Sequence, residues 1–136
     1  IVIGASPRVR RRCSRRYAIA AGMSSREVFE LGRTLRYDAA FAPEGANVNF
    51  ASLGPDGRVY LRTYEKGVEA ETFACGTGSV AAAVLFAHEG RVQSPVRIVQ
   101  HSGDELTASF ELAPHGAVNV ALEGPAEINF HGWADI

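Results

Sequence analysis

Cysteines and long apolar runs are scarce in this 136-residue chain, and each scarcity excludes a class of protein. Two cysteines are too few for a disulfide framework, and no Cys-x-x-Cys pair or histidine cluster offers a metal site. The longest apolar run, residues 80–87, has eight residues, whereas a membrane-spanning helix needs about 20. The N-terminal residues lack the pattern of a signal peptide. We therefore expect a cytoplasmic protein that binds no metal and no membrane.

The composition is otherwise typical of one folded domain, with 46% hydrophobic residues, 21% charged residues and a net charge of −1. The charge is unevenly distributed, because residues 1–20 carry six arginines and no acidic group, whereas residues 21–136 carry 8 basic and 15 acidic groups. The arginine cluster at residues 8–16 could attract nucleic acid. Because the cluster has no aromatic residue to stack on bases, we favour a solvated basic edge, and nucleic acid is the least favoured partner.

Sequence patterns predict an α+β domain. Ser24 and Glu27 have the spacing of a capping box before an amphipathic helix at residues 25–37, and residues 38–47 are predicted to be a loop. Residues 47–53 and 58–65 flank a Gly-Pro-Asp-Gly turn and predict a hairpin. A second helix, residues 80–90, is apolar nearly all round, which predicts burial on every side, and Gly90 is expected to end it.

Four further strands are predicted towards the C-terminus, in the segments RIVQHS, LTASFELA, AVNVALEG and AEINFHGWADI. Together with the hairpin they would form a curved, mostly antiparallel sheet. Such a sheet wrapped round one buried helix accounts for both the strand-rich C-terminal half and the uniformly apolar helix.

The candidate site is the segment that leads into the second helix. Cys75 immediately precedes a Gly-Thr-Gly turn, and a carboxylate can closely approach the N–H groups of Gly76, Thr77 and Gly78, because the first N–H groups of a helix have no intrahelical partners. The positive end of a helix also favours thiolates. A thiol beside a carboxylate-binding turn suits proton transfer at the carbon α to that carboxylate. Glu65, at the end of a predicted strand, could orient the thiol or hold its proton.

A simpler interpretation of these residues is a small buried cysteine followed by a tight turn. The turn matches neither a phosphate-binding P-loop nor a dinucleotide-binding fingerprint. Residues 63–83, TYEKGVEAETFACGTGSVAAA, resemble a signature in the C-terminal half of the diaminopimelate epimerase family. GANVNFASL and LEGPAEINFHG resemble two further segments of that family, so the resemblance covers about residues 22–136.

The resemblance implies an isomerase of lysine biosynthesis that needs no pyridoxal phosphate or other cofactor. Enzymes of this family interconvert LL- and meso-diaminopimelate with two thiols on opposite faces of the α-carbon. Cys75 would be one acid/base thiol, and Glu65 would support it. Gly76 and Thr77 would bind the reacting carboxylate, and Asn47 would hydrogen-bond the end of the substrate that does not react.

The resemblance also implies substrate-binding roles for Lys66 and Ser6, and the chain departs from the family at Lys66 and Arg8. Lys66 stands where the family usually has arginine, and lysine lacks the planar fork that binds a carboxylate bidentately. Ser6 and Arg8 occupy the places of an Asn-Pro-His or Ser-Pro-His element, so arginine replaces the histidine expected to assist the other thiol. Residues 1–20 are accordingly interpreted as a divergent Arg-rich segment, and residues 21–136 as the C-terminal domain.

The first half of the family, with its own Cys-Gly-Asn-Gly turn, is absent from this chain. Cys13 does not replace it, because it lies among arginines without glycines or a following helix. One thiol can exchange an α-proton but cannot invert a centre by the two-base route. We therefore expect the missing N-terminal domain or a second copy of the chain to complete the cleft.

Two other functions stay open at this point. One is a different thiol-based amino-acid racemase or epimerase of the same superfamily, such as a proline-racemase-like enzyme, although the segments NVNF and YEKGVEAET argue against it. The other is a non-catalytic domain that retains the anion-binding turn.

Overall fold

The computed structural model describes residues 2–3, 10–11, 22–128 and 131–133. Ser6, Cys13 and most of the arginine cluster lie outside the described residues. The elements in chain order are β1 (Val2–Ile3), β2 (Arg10–Arg11), α1 (Ser25–Arg36), β3 (Val48–Leu53), β4 (Val59–Glu65), β5 (Ala70–Thr72), α2 (Gly76–His88), β6 (Val96–Val99), β7 (Glu105–Ala113) and β8 (Gly116–Glu123). A short 3₁₀ helix, Ala39–Phe41, lies within the loop predicted after α1.

The strands form one sheet in the order β2-β1-β3-β4-β6-β7-β8, with β5 also paired to β4. All pairs are antiparallel except β4 with β6, which are parallel because α2 lies in the crossover between them. Strands along the sheet from β3 to β8 contact α2, so the sheet curls round this helix. The predicted α+β class with a mostly antiparallel sheet round a central helix is confirmed.

Helix α1 begins as its sequence predicts. Ser24 donates its N–H to Glu27 Oε2 at 2.8 Å, and Ser24 Oγ accepts the N–H of Glu27 at 3.3 Å, which completes the capping box. The buried face of the helix, with Val28 and Leu35, belongs to a core cluster that includes Phe50 of β3 and Tyr64 of β4. The helix ends at Arg36, one residue before the predicted end.

Helix α2 forms the second core on its sheet-facing side. Its buried residues Ala82, Ala83 and Phe86 pack with residues of β4, β6 and β7. The predicted ending at Gly90 is confirmed: this residue has φ 69°, and the N–H of Arg91 donates to the carbonyl of Phe86 at 2.9 Å. Alanines on the packed face let the helix lie close to the strands.

The other side of α2 is only half-buried, so the expectation of burial on every side was wrong for this face. Val80, Val84 and Leu85 line a groove of about 950 Å³, with Val120 and Leu122 of β8 on its opposite wall. The half-buried state of this face could not be read from the uniformly apolar sequence. It depends on β8, the last strand of the described sheet, beyond which no described element covers the groove. The groove also reaches Gly76 and Thr77 at the start of the helix.

The fourth predicted C-terminal strand is absent from the described residues. Residues 124–128 and 131–133 belong to no strand, and Ile128 and Trp133 are exposed. Pro125, which has no N–H to donate to a ladder, follows directly after β8 and Gly124. Neither helix of the described chain is long and apolar enough to cross a membrane.

Candidate active site at the start of the second helix

Cys75 is the N-cap residue of α2, with φ −142° and ψ 104°. Its side chain makes no capping hydrogen bond to the helix, and only 6% of the residue is exposed. The thiol is therefore held at the positive end of the helix without being used to satisfy the helix. Its neighbours Gly76 and Thr77 line the groove beside α2.

The Asn47 side chain joins Cys75 to the loop after β4. Its Nδ2 lies 3.6 Å from the Cys75 Sγ and donates to it, whereas its Oδ1 accepts the backbone N–H of Lys66 at 2.9 Å. The bond to Lys66 fixes the orientation of the amide, so its N–H faces the sulfur. A donor in this position stabilises negative charge on sulfur.

Gly76 and Thr77 are the first residues of α2, and their N–H groups have no partner within the helix. Both residues line the groove, and Thr77 Oγ1 lies 3.6 Å from the Cys75 Sγ. A carboxylate on these N–H groups would therefore lie beside the thiol. The predicted grouping of Cys75 with Gly76 and Thr77 follows directly from this geometry.

Glu65, the last residue of β4, and Lys66, the first residue after it, differ in exposure and in their contacts. Lys66 is exposed and contributes its backbone N–H to Asn47. Glu65 is half-buried, its carbonyl accepts the N–H of Glu69 at 2.8 Å, and its carboxylate forms no hydrogen bond or ion pair with any described residue. Polar side chains that contact the thiol belong to Asn47 and Thr77, and the supporting role of Glu65 stays a prediction.

Glu69 stabilises the turn that carries Lys66. Its Oε1 accepts the N–H of Gly67 at 3.1 Å and forms an ion pair with Arg36 Nη2 at 3.0 Å. The hydrogen bond from Gly67 is the main reason that the pKa of Glu69 is lowered, and Arg36 adds to the effect. Since the turn presents Lys66 to Asn47, this carboxylate indirectly supports the position of the amide at the thiol.

Gly78 allows the start of α2 to lie directly on β3. A Cβ at this position would be 2.1 Å from Oδ1 of Asn49, a fully buried residue. That oxygen accepts a hydrogen bond from Thr63 Oγ1 at 2.8 Å, whereas Asn49 Nδ2 has no partner among the described residues. The sequence predicted that both glycines of the Gly-x-Gly turn leave room for a ligand. In the structure, Gly78 instead leaves room for the Asn49 side chain of β3.

Sequence reasoning did not identify Gln100 and Ser79. Gln100 follows β6, is 5% exposed, and accepts the Cys75 N–H on its Oε1 at 3.3 Å. Ser79 is fully buried and donates its hydroxyl to the Cys75 carbonyl at 2.8 Å. The available signal for Gln100 was its place directly after the strand VRIV, whose Val96 and Ile98 are buried, because a residue at the end of such a strand lies near the core. Among the described residues, no group of three potential ligands could hold a metal ion.

The sequence of this chain matches the family model described as diaminopimelate epimerase over residues 17–127. It is 41% identical over 103 residues to a diaminopimelate epimerase of Aquifex aeolicus, which covers 71% of this chain and 37% of that protein. It is 47% identical over 106 residues to one of Archaeoglobus fulgidus, which covers 76% of this chain and 37% of that protein. The chain thus spans less than half the length of these curated relatives. The match over most of its residues shows that this chain belongs to the diaminopimelate epimerase family.

Proposed function

We propose that this chain supplies one acid/base thiol, Cys75, to an isomerase that interconverts LL- and meso-diaminopimelate. The observation that carries this proposal is the buried Cys75 Sγ at the start of α2, beside the N–H groups of Gly76 and Thr77. The names of the relatives supply the substrate class, because each is a diaminopimelate epimerase. This function belongs to amino-acid biosynthesis in the cytoplasm and needs no cofactor.

The helix N-terminus would stabilise the charge that develops during the reaction. When the α-proton leaves, the electron pair of the broken C–H bond delocalises into the adjacent carboxylate. The N–H groups of Gly76 and Thr77 would hold this carboxylate. They would stabilise its greater negative charge in the transition state more than its charge in the bound substrate. The α-carbon of the substrate would then lie next to the Cys75 sulfur, because Thr77, which would hold the carboxylate, has its Oγ1 only 3.6 Å from that sulfur.

Cys75 as a thiolate would take the α-proton, forming S–H as the C–H bond breaks, and in the opposite direction the thiol would return it. Inversion needs a second acid that delivers a proton to the other face of the carbon. In this proposal that acid comes from the missing N-terminal domain or from a second copy of the chain. The chain alone would then perform the exchange half of the reaction.

The remaining predicted residues would recognise the substrate. Asn47 would orient the thiol through Nδ2 and bind the end of the substrate that does not react. Glu65 would use its half-buried carboxylate, which has no partner among the described residues, to bind the substrate ammonium group. Lys66, and Ser6 outside the described residues, would supply further polar contacts.

Loss of the α-proton signal of LL-diaminopimelate in deuterated water, followed by proton NMR with reductant present, tests the proposal. We expect the signal to fade with the native chain and to persist with Cys75→Ala. Formation of the meso isomer would require a second acid, most simply from a dimer. Equal exchange with both chains would contradict the role of Cys75.

The same experiment separates the alternative functions. Exchange of the α-proton of proline, but not of diaminopimelate, would indicate a different thiol-based racemase. A non-catalytic anion-binding domain would exchange neither substrate, and its affinity for diaminopimelate would be nearly the same with Cys75→Ala. Circular dichroism of both chains would confirm that a loss of exchange does not arise from unfolding.

A further inference from the structure

Three hydrogen bonds form a closed ring around the backbone of Cys75. The Cys75 N–H donates to Gln100 Oε1 at 3.3 Å, and Gln100 Nε2 donates to Ser79 Oγ at 3.0 Å. Ser79 Oγ then donates to the Cys75 carbonyl at 2.8 Å. All three residues are buried, with 6%, 5% and 0% exposure in the order Cys75, Gln100 and Ser79.

The direction of the ring permits only one orientation of the Gln100 amide. Reversing the amide would place its N–H₂ group against the Cys75 N–H and its oxygen against a Ser79 oxygen whose proton is already donated. Because the ring is buried, neither mismatch could be relieved by water at low cost. The orientation of Gln100 is therefore fixed, and with it the position of the Cys75 N–H.

The ring engages the peptide groups on both sides of the Cys75 α-carbon. Since it holds the N–H before this carbon and the carbonyl after it, it restrains both backbone torsions of the residue. These torsions determine the direction of the Cα–Cβ bond, and the side chain has no capping hydrogen bond to help determine it. Gln100 and Ser79 thus determine the direction of the Cα–Cβ bond without contacting the sulfur, whereas Asn47 and Thr77 contact the sulfur itself.

The loop that carries Gln100 is itself tied to the approach to Cys75. The Gln100 N–H donates to the Asp104 carbonyl at 2.9 Å, and the Ser102 N–H donates to the Phe73 carbonyl at 3.0 Å. Phe73 lies two residues before Cys75. The loop after β6 therefore holds the segment that leads into the helix as well as the cysteine itself.

We propose that Gln100 and Ser79 are positioning residues that direct the Cys75 thiol towards a carboxylate bound at Gly76 and Thr77. This inference rests on the proposed function, because it assigns the ring a role in delivering sulfur to the carbon α to that carboxylate. Neither residue is expected to contact the substrate.

Alkylation with iodoacetate and with iodoacetamide tests this positioning. In both reactions the thiolate displaces iodide, so that an S–C bond forms as the C–I bond breaks. Only iodoacetate carries a carboxylate, and its reacting carbon is α to that carboxylate. Thiol exposure and the thiolate fraction affect both alkylation rates at Cys75 equally, since both reagents react with the same sulfur. The ratio of the two rates therefore does not depend on either of them. Mass spectrometry of each cysteine-containing peptide makes Cys13 an internal reference.

With the folded 136-residue chain, we expect the ratio of the iodoacetate rate to the iodoacetamide rate at Cys75 to exceed that of the urea-unfolded chain roughly two- to fivefold, the range for a charge at a helix end. Gln100→Met has similar volume but lacks both polar groups of the ring, and it should return the ratio to the unfolded value. Ser79→Ala should do the same, whereas Ser79→Thr retains the hydroxyl and should preserve the ratio. Ser52→Ala removes a buried serine hydroxyl elsewhere in the sheet and should preserve it too.

A purely structural role would change both alkylation rates together and leave their ratio unchanged. If folded Gln100→Met and Ser79→Ala both keep the rate ratio of the unsubstituted chain, the proposal is overturned. If Gln100→Met does not fold, Ser79→Ala carries the test, because alanine favours helix and only one hydroxyl is lost. If the folded, unsubstituted chain has the same rate ratio as the unfolded chain, the proposal is also overturned, because no bound carboxylate would then be near the thiol. A raised ratio without α-proton exchange of diaminopimelate would refute the proposed function alone.

Discussion

The contact between Gly78 and Asn49 leads to a sharp prediction about stability. In Gly78→Ala the new Cβ would lie 2.1 Å from Asn49 Oδ1 and 2.8 Å from its Cγ, far closer than non-bonded atoms approach. Asn49 cannot easily retreat, because it is fully buried and its oxygen accepts the Thr63 hydroxyl at 2.8 Å. The start of α2 would have to move away from β3.

Gly76→Ala is the matched control for this substitution. A Cβ at Gly76 would meet only Leu122 Cδ2 at 3.1 Å, the end of a flexible, exposed side chain. Both substitutions replace a helical glycine by alanine and share the gain in helix propensity, so their difference isolates the contact with Asn49. Overpacking of this kind costs about 1–3 kcal/mol. For a domain of this size, Gly78→Ala should therefore melt roughly 3–10 °C below Gly76→Ala.

Thermal and urea unfolding followed by circular dichroism, with reductant present, would measure the difference. In the double variant Asn49→Ala/Gly78→Ala the methyl group gains the space of the missing amide, so its loss of stability should be smaller than the sum of the two single losses. Equal melting temperatures for Gly78→Ala and Gly76→Ala would refute the reasoning. Additive losses in the double variant would show that the two side chains do not meet.

Three other substitutions probe the residues around the site. Glu69→Gln should cost more stability at pH 7 than at pH 3, because the lowered pKa of Glu69 contributes stability above the ordinary carboxyl pKa, and this contribution is lost as the pH falls through the lowered value. Arg62→Met should cost about 3–5 kcal/mol, because it leaves the nearly buried Glu71 carboxylate with only the His101 ring nitrogen, at 3.7 Å, and adding Glu71→Leu should recover much of this loss. Asn47→Ala removes the donor at the Cys75 sulfur and should slow α-proton exchange about tenfold.

Each of these outcomes has its own measurement. Urea unfolding of the native chain and Glu69→Gln at both pH values checks the first, and a difference independent of pH would contradict it. Unfolding of the single and double variants at Arg62 and Glu71 checks the second, and a further loss in the double variant would count against it. Deuterium exchange by NMR checks the third, where an unchanged rate would leave Asn47 without a role at the thiol.

Features specified by neighbouring residues were predictable from the sequence. The capping box at Ser24, the hairpin of β3 and β4, and the ending of α2 at Gly90 each depend on residues within a few positions of one another. The grouping of Cys75 with the first N–H groups of α2 was predictable for the same reason. In each case the physical cause is local, so it is visible in a short stretch of sequence.

Features created by distant contacts were not predictable. The parallel pairing of β4 with β6 and the bond from Cys75 to Gln100 join segments about 25 or more residues apart, and no pattern within either segment encodes them. The half-buried face of α2 was missed because an apolar sequence does not reveal which neighbour covers it. The contact between the Asn47 amide and the Cys75 sulfur was not predicted either, because it joins residues 28 positions apart.

The parallel pairing of β4 with β6 also determines the order in which the site can form during synthesis. The β3–β4 hairpin and α1 require only contacts among residues that emerge first, whereas β6 must close a long crossover back to β4. Gln100 leaves the ribosome 25 residues after Cys75, so the ring around the cysteine backbone can close only after this crossover has formed. The backbone of Cys75 is therefore fixed later than the β3–β4 hairpin, and the site forms only once the crossover has closed.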